Sequence, residues 1–256
     1  MININFFPQK NNNIDHPLSI NGIEVPYFYK LEADNITVRL KGEKRAYSHG
    51  FTPTGDGYID GKTIKLTLFV DGKNKADFTN RVNELCRMLY QTDYELSNGD
   101  GYWIAKGLTK ISTKYVKGFQ FVRGEITASI LLSDPFRYGM LRNTRVMTKE
   151  GKSTSIKITN FGSVETPMLI VITPVATAND ITFTLGNKSM HLQDALLTNP
   201  AKLIVDTAKG TVRRDKFNAI NTFSGQFLTA AVGENILTYT GNSADVFVQI
   251  RDRWLV

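Results

Sequence analysis

Few side chains in this chain are suited to catalysis or metal binding, and none of them falls in a recognisable spacing. The three histidines are His16, His49 and His191, and no two of them have the separation of a His-x-x-x-His zinc motif. The one cysteine, Cys86, has no partner for a disulfide or a metal, so we interpret it as a small buried apolar residue. The sequence therefore predicts no catalytic residue and no metal site.

Motifs that bind phosphate or create a nucleophile are also missing. There is no Gly-x-Ser-x-Gly elbow and no Gly-x-x-x-x-Gly-Lys-Ser/Thr loop. The segment Gly99-Asp100-Gly101 lacks the further acidic ligands of a calcium loop, which favours a plain turn. The acidic residues are scattered, so no glycosidase pair can be named. We predict no cofactor and no enzymatic activity.

Composition excludes several other classes of protein. The chain has 256 residues, 41% of them hydrophobic, and a formal net charge of +7 that is spread over both halves. This spread argues against a dedicated nucleic-acid arm, so we predict no nucleic-acid binding site. No apolar run approaches the roughly 18 residues of a membrane-spanning helix, and Met1–Pro8 lacks the features of a signal peptide.

Aromatic residues are the strongest candidates for binding a partner. Residues 41–61 are interrupted by five glycines and Pro53, which predicts a long loop or an exposed hairpin. Aromatic side chains anchor protein interfaces, and basic side chains select acidic partners. We therefore predict a subunit or partner contact at Tyr47, Phe51, Tyr58, Lys44 and Arg45. The alternative is a disordered surface loop without a partner.

The best-defined regular element is an amphipathic helix that begins at Asp77, whose side chain could cap the first turn. Its apolar residues share one face of a 3.6-residue helix: Phe78, Val82, Leu85, Cys86 and Leu89. Residues 63–70 before the helix and 126–132 after it alternate between apolar and polar, as expected for strands with one buried face. The segment predicts a twisted antiparallel sheet with one helix packed on it.

Further strands are predicted on both sides of this unit. Asn21-Gly22 predicts a type I′ hairpin within residues 18–25. A second pair is predicted from residues 27–31 and 36–40. Four short strands follow the helix: Tyr94–Leu96, Tyr102–Leu108, Lys110–Tyr115 and Phe119–Leu132.

A polar, basic stretch at residues 140–153 predicts a boundary between two domains, 1–140 and 154–256. From Thr154 the pattern is all β, with one helical turn at Leu192–Leu197, which favours a sandwich or barrel. The predicted strands are Ser155–Asn160, Pro167–Pro174, Asp180–Leu185, Ala201–Asp206, Thr211–Arg214, Gln226–Ala230, Asn235–Tyr239 and Val246–Arg251.

Several phrases, in their order and spacing, resemble the distal tail proteins (Dit) of long-tailed, non-contractile bacteriophages. In the first half they are a strand pair, the helix Arg81–Leu89 and the ending Leu131–Gly139 with its Asp134-Pro135. In the second half they are Asn160-Phe161-Gly162 before Pro167, Leu203–Asp206 before Gly210-Thr211-Val212, and Val232–Ile236.

The resemblance implies a mainly β fold. Its N-terminal β-rich domain would have one amphipathic helix and a projecting hairpin, and its C-terminal domain would be a galectin-like or carbohydrate-module-like β-sandwich. It also implies a structural hub of the phage tail tip or baseplate, assembled in the host cytoplasm. Six copies would form a ring through their N-terminal domains and join the tail tube to the adhesion device, while the sandwich domains face outward.

The partners implied by the resemblance are other copies of the chain, the tail tube protein, the tape-measure protein, and a tail-associated lysin, fibre or receptor-binding protein. A different function stays open, namely a carbohydrate-binding module on a tail tip that recognises a host cell-wall sugar. Consecutive aromatics at Tyr27, Phe28 and Tyr29, and Trp103 in a strand, fit either core residues or a sugar interface.

Overall fold

The structure, a computed structural model, describes residues 17–33, 37–45, 49, 51–119 and 121–255. The chain divides into two compact units, Met1–Arg137 with Leu255–Val256, and Tyr138–Trp254. The described part is mainly β and contains one α-helix, as predicted. No helix in these ranges is both long enough and apolar enough to cross a membrane.

The first unit is one antiparallel sheet with a helix, together with a separate hairpin. Its elements are β1 (Ser19–Ile20), β2 (Ile23–Glu24), β3 (Phe28–Ala33), β4 (Val38–Lys44), β5 (Phe51–Ile59), β6 (Lys62–Asp71), α1 (Lys75–Leu89), β7 (Tyr94–Ser97), β8 (Tyr102–Tyr115) and β9 (Arg123–Leu132). The sheet has the order β3-β6-β9-β8-β7-β1-β2, and β4 pairs only with β5 within the described residues.

Alternation along β6 and β9 places one face of this sheet in the core. Every second residue from Ile64 to Val70 and from Ile126 to Leu132 is buried, which confirms the predicted period of two. The tight hairpin at Asn21-Gly22 is also confirmed, because both residues have positive φ angles, 50° and 77°.

The N-cap of helix α1 is Asn74, three residues before the predicted cap Asp77. The Asn74 Oδ1 atom accepts a hydrogen bond from the Asp77 backbone N–H at 2.9 Å. Asp77 instead accepts from the Lys73 backbone N–H at 2.8 Å and pairs with Arg81. This reciprocal arrangement resembles a capping box and satisfies two backbone donors at the start of the helix.

The helix packs closely on the end of β6. Phe78, Leu85 and Leu89 are buried in the core of the first unit, and Val82 packs against it half-buried. At Gly72 an added Cβ would lie 2.5 Å from the Phe78 backbone nitrogen, so only glycine fits there. The apolar face predicted from the sequence is therefore the face that contacts the sheet.

Truncating a buried side chain on that face of the helix should lower the stability of the first unit. Leu85→Ala is expected to cost about 2–5 kcal/mol of unfolding free energy, because it removes buried methyl groups and leaves a cavity. The exposed neighbour provides a control, and Glu84→Ala should change stability by less than about 0.5 kcal/mol. Urea denaturation of the two variants and the parent checks this, and equal midpoints for Leu85→Ala and the parent would contradict the helix assignment.

Two predicted features of the first unit are wrong. Residues 27–31 were expected to pair with 36–40, but β3 pairs with β6 and β4 pairs with β5. The two strands predicted within residues 102–115 are one strand, β8, whose register against β9 shifts between Ala105 and Gly107 and between Leu108 and Lys110. The irregular residues disturb the alternation, which explains why the sequence suggested a break.

The second unit is a sandwich of two antiparallel sheets. Its strands are β10 (Arg137–Met147), β11 (Thr154–Asn160), β12 (Thr166–Pro174), β13 (Asp180–Leu185), β14 (Lys188–Gln193), β15 (Leu203–Asp206), β16 (Thr211–Arg214), β17 (Phe217–Asn218), β18 (Phe223–Gly225), β19 (Thr229–Ala230), β20 (Gly233–Gly241) and β21 (Ala244–Trp254). A short 3-10 helix spans Ile220–Thr222.

One sheet of the sandwich runs β17-β16-β15-β12-β21-β10, and the other runs β11-β20-β13-β14-β18. Inward-facing side chains from both sheets form one core, in which Ile170, Phe183, Tyr239 and Val246 are fully buried. The alternation along β12 and β21 is uninterrupted, which is the pattern of strands with one face in a core.

The local structure of this region differs from the sequence predictions at three places. The polar stretch 140–153 is mostly strand β10, which pairs with β21 and belongs to the second unit. The helical turn predicted at Leu192–Leu197 begins inside strand β14. Residues 226–230 form only the short strand β19, at Thr229–Ala230. The assignment of ring formation to a domain 1–140 and of an outward-facing sandwich to a domain 154–256 remains a prediction.

Candidate functional site

The β4–β5 hairpin is the most exposed element of the first unit. All seven residues of β4 are exposed, and Leu40 and Tyr58 are exposed to 57% and 67%. None of the described side chains of the hairpin belongs to the apolar core of the unit. A two-stranded hairpin is only marginally stable in water by itself, so this one is expected to gain most of its order from a partner surface.

Ionic contacts link the two strands near the base of the hairpin. The Arg39 guanidinium lies 3.2 Å from the Asp56 carboxylate and 3.4 Å from that of Asp60. It also lies 5.7 Å from the centre of the Tyr58 ring. All of these side chains are exposed, so each contact is worth at most about 1 kcal/mol. These contacts hold Tyr58 beside a cation at the surface.

A bulge beside Gly55 shapes the same region. The register shifts between Val38 and Leu40, and Gly55 has a φ of +123°. An added Cβ at Gly55 would lie 2.0 Å from the Arg39 carbonyl oxygen. Glycine is therefore required at this position, and the bulge re-aims the exposed residues on the opposite strand.

The predicted contact residues lie at two ends of the hairpin. Lys44 is the last residue of β4 and pairs in register with Phe51, while Arg45 follows and donates from Nε to Thr52 at 3.4 Å. Tyr58 lies at the other end, near Arg39. Tyr47 lies outside the described residues. The structure therefore spreads the described residues along the hairpin rather than grouping them in one cluster.

The sequence analysis did not identify two groups of exposed side chains. Val38 and Leu40 are exposed apolar residues of β4, and the sequence analysis predicted for them only a strand at residues 36–40. A second aromatic cluster lies at the β8–β9 turn, where Tyr115, Phe119 and Phe121 are each nearly half exposed. Lys75 lies 4.6 Å from the Phe121 ring centre and Arg123 lies 4.9 Å from that of Phe119.

Elsewhere in the described ranges no catalytic or metal centre is assembled. No group of three or more His, Cys, Asp or Glu side chains is placed to hold a metal ion. Burial raises the pKa of the Cys86 thiol, which disfavours the reactive thiolate. On the outer face of the second sandwich sheet, His191 Nε2 lies 2.7 Å from Asp180, and Ser224 is opposite His191. Ser224 makes no hydrogen bond to the ring, so a nucleophile–base pair is not formed.

Comparison with known proteins supports the fold. No protein-family model matches the chain, and no curated protein matches it. Among solved structures, the chain is similar to the Dit protein (gp 19.1) of phage SPP1, described as a paradigm of the hub adsorption apparatus in phages that infect Gram-positive bacteria. The TM-score is 0.73 and the sequence identity 14%, over 93% of this chain and 98% of that chain. The predicted resemblance is therefore confirmed for the fold, and the chain has the fold of a distal tail protein over nearly its whole length.

Proposed function

We propose that this protein is a structural hub of a phage tail tip, in which six copies form a ring that joins the tail tube to the adhesion device. The observation that carries this proposal is the match of fold to SPP1 Dit across both units, because 98% of that protein is covered. A likeness confined to one sandwich would support only a generic binding domain, since such folds serve many functions.

The first unit supplies the proposed ring contacts. Its hairpin offers exposed apolar and aromatic residues, Val38, Leu40 and Tyr58, that have no place in the core of their own chain. In a ring each copy presents one surface to the next copy and a different surface to the previous one. The projecting hairpin suits one of these surfaces, with Lys44 and Arg45 at its far end facing acidic groups on the neighbour or on the tube protein.

The proposed partners are those that the resemblance to distal tail proteins implies. The hub would contact the tail tube protein and the tape-measure protein, while its sandwich would hold a tail-associated lysin, fibre or receptor-binding protein. Assembly would take place in the host cytoplasm, with the finished protein in the tail tip.

Mass photometry of the purified full-length chain tests the ring. We expect particles of about six times the 28.7 kDa chain mass. Leu40→Asp should weaken assembly by about tenfold or more, because it places a charge in a buried contact. Folding should be unchanged in circular dichroism, since Leu40 lies outside the core.

A matched control separates this effect from general surface charge. Leu196 in the second unit is also an exposed leucine, so Leu196→Asp should leave assembly unchanged. A parent protein that stays monomeric at high concentration would contradict the self-assembling ring. A ring that persists both in Leu40→Asp and after deletion of residues 43–58 would instead place the subunit contact outside the hairpin.

A further inference from the structure

A row of aromatic rings leads from the core to the surface at the turn between β8 and β9. The centre of the Tyr115 ring lies 5.9 Å from that of the buried Phe78 ring and 5.3 Å from that of Phe121. Tyr115, Phe119 and Phe121 are exposed to 45%, 47% and 44%. Aromatic rings contribute strongly to interfaces when they are buried, so three half-exposed rings at one turn indicate a surface that another molecule covers.

The backbone of this turn is strained at one of the exposed rings. Phe121 has a φ of +70°, in the left-handed region that bulky side chains rarely adopt. Asparagine or glycine would adopt this conformation at a lower cost. Because such strain is concentrated at functional positions, we interpret the Phe121 ring as part of a contact surface.

Two exposed lysines flank the rings. The Lys75 Nζ atom lies 4.6 Å from the centre of the Phe121 ring, and Lys117 lies in the turn itself. Neither ammonium forms an ion pair with a residue in the described ranges. We call Tyr115, Phe119, Phe121, Lys75 and Lys117 the aromatic–lysine patch. Its positive charge favours a partner surface that carries carboxylates.

The first unit also contains a surface of the opposite charge. Glu95 on β7 pairs in register with Ile104 on β8, and both side chains are exposed on the face that points away from the core. Glu24 on β2 is opposite Ser19, which is opposite Ser97, so Glu24 lies on the same face as Glu95. Neither carboxylate forms an ion pair with a described residue. We call Glu24, Glu95 and Ile104 the acidic surface.

The patch and the acidic surface cannot meet within one copy of the chain. Ile104 and Tyr115 lie near opposite ends of β8, and a strand rises about 3.3 Å per residue, which separates them by roughly 35 Å. The patch of one copy can therefore reach the acidic surface only on another copy. A contact between two different surfaces of identical chains is head-to-tail, and its repetition closes a ring.

We propose that the aromatic–lysine patch of one copy binds the acidic surface of the next copy. This contact rests on the ring of the proposed function and adds to the contact made by the hairpin. Ile104 packs against the exposed rings, while Lys75 and Lys117 pair with the two glutamates. A nucleic acid or an anionic membrane would also attract the patch, but only a second copy brings carboxylates that lack a cation of their own.

Paired charge reversals in the full-length protein test this contact by mass photometry. One variant combines Lys75→Glu with Lys117→Glu, and the other combines Glu24→Lys with Glu95→Lys. Each variant alone should assemble at least about tenfold more weakly than the parent, because like charges meet at every contact. An equal mixture should form the ring again, since the two variants can alternate and every contact then joins opposite charges.

A matched control has the same change of net charge in the second unit. Lys188→Glu with Lys216→Glu reverses two exposed lysines there and should leave assembly unchanged. If the reversed variants of the first unit assemble like the parent, the proposed contact is wrong and the hub function is unaffected. If their mixture stays monomeric, the patch serves another partner, such as a nucleic acid or a membrane, and the proposal is overturned. A monomeric parent would contradict both the ring and this contact.

Phe121→Asn separates the contact from folding. Asparagine tolerates the left-handed backbone, so relief of strain should offset the lost ring contacts and the melting temperature should change little. Assembly should weaken at least about tenfold, because the exposed ring is removed. Phe217→Asn is the control, since Phe217 is a more exposed ring in the second unit and its loss should not affect assembly. Equal assembly of Phe121→Asn and the parent would overturn the role of the rings.

Discussion

A fragment that begins at Tyr138 is expected to fold as a β-sandwich, whereas one that begins at Gly151 is expected to lose most of its stability. The second fragment contains every strand of the sandwich except β10. Strand β10 pairs with β21 at the edge of the first sandwich sheet, so its removal exposes the backbone of β21.

Two contacts make the loss of β10 large. Asp252 on β21 is fully buried, and without Arg142 its carboxylate loses a charge-assisted hydrogen bond worth about 1.5–3 kcal/mol. Thr148, just after β10, accepts from the Ala244 N–H at 2.9 Å and donates to the Ala244 carbonyl at 3.0 Å. A sandwich of this size has only about 5–15 kcal/mol of stability, so these losses are decisive.

Thermal denaturation followed by near-ultraviolet circular dichroism distinguishes the two fragments. The 138–256 fragment should melt cooperatively, and the 151–256 fragment should show weak tertiary signal or a melting temperature lower by at least about 10 °C. If both fragments melt at the same temperature, β10 contributes nothing to the second unit. A 138–256 fragment without tertiary signal would contradict the independence of that unit.

The spacing of apolar residues and the amino-acid composition were enough to predict the class of fold and many of its elements. The helix face with Phe78, Leu85 and Leu89 and the alternating strands around it follow directly from the spacing of apolar residues. These features are local, so a single sequence contains them. The N-cap was predicted wrongly as Asp77, although Asn74 and Asp77 have the spacing of a capping box.

Long-range pairing was not predictable from the same signals. Strand β3 pairs with β6 across the intervening hairpin, although neighbouring strands in the sequence usually pair with each other. Strand β10 was interpreted as part of a domain boundary because its sequence is polar and basic and includes Arg142 and Arg145. Both arginines pair with aspartates of β21 about a hundred residues away in the sequence. The residues around each arginine give no indication of these partners.

For the candidate contact segment, the sequence predicted the exposed hairpin but not which side chains the hairpin brings together. Glycines and aromatics between residues 41 and 61 indicated an exposed hairpin, and the structure has one at β4–β5. The grouping of Arg39 with Asp56 and Tyr58 depends on the register of the hairpin, which the bulge at Gly55 changes. The sequence could therefore name the segment but not the side chains that it brings together.

The core of the sandwich should depend most on Phe183 at the centre of β13. Phe183 is fully buried, and its ring meets the ring of Tyr239 edge to face, with centres 5.2 Å apart. Phe183→Ala is expected to cost about 3–5 kcal/mol, because it removes a large buried ring and its aromatic partner contact. Urea denaturation measures this loss as a lower midpoint.

Phe183→Leu and Thr182→Ala separate cavity formation from other effects. Phe183→Leu keeps part of the apolar volume and should destabilise the protein by less than Phe183→Ala does. Thr182 is the neighbouring residue on the outer face of the sheet, so Thr182→Ala should cost at most about 1 kcal/mol. Because β13 lies between β14 and β20, a cavity there cannot close without moving both strands. Equal midpoints for Phe183→Ala and Thr182→Ala would show that β13 is turned the other way, with its odd-numbered residues in solvent.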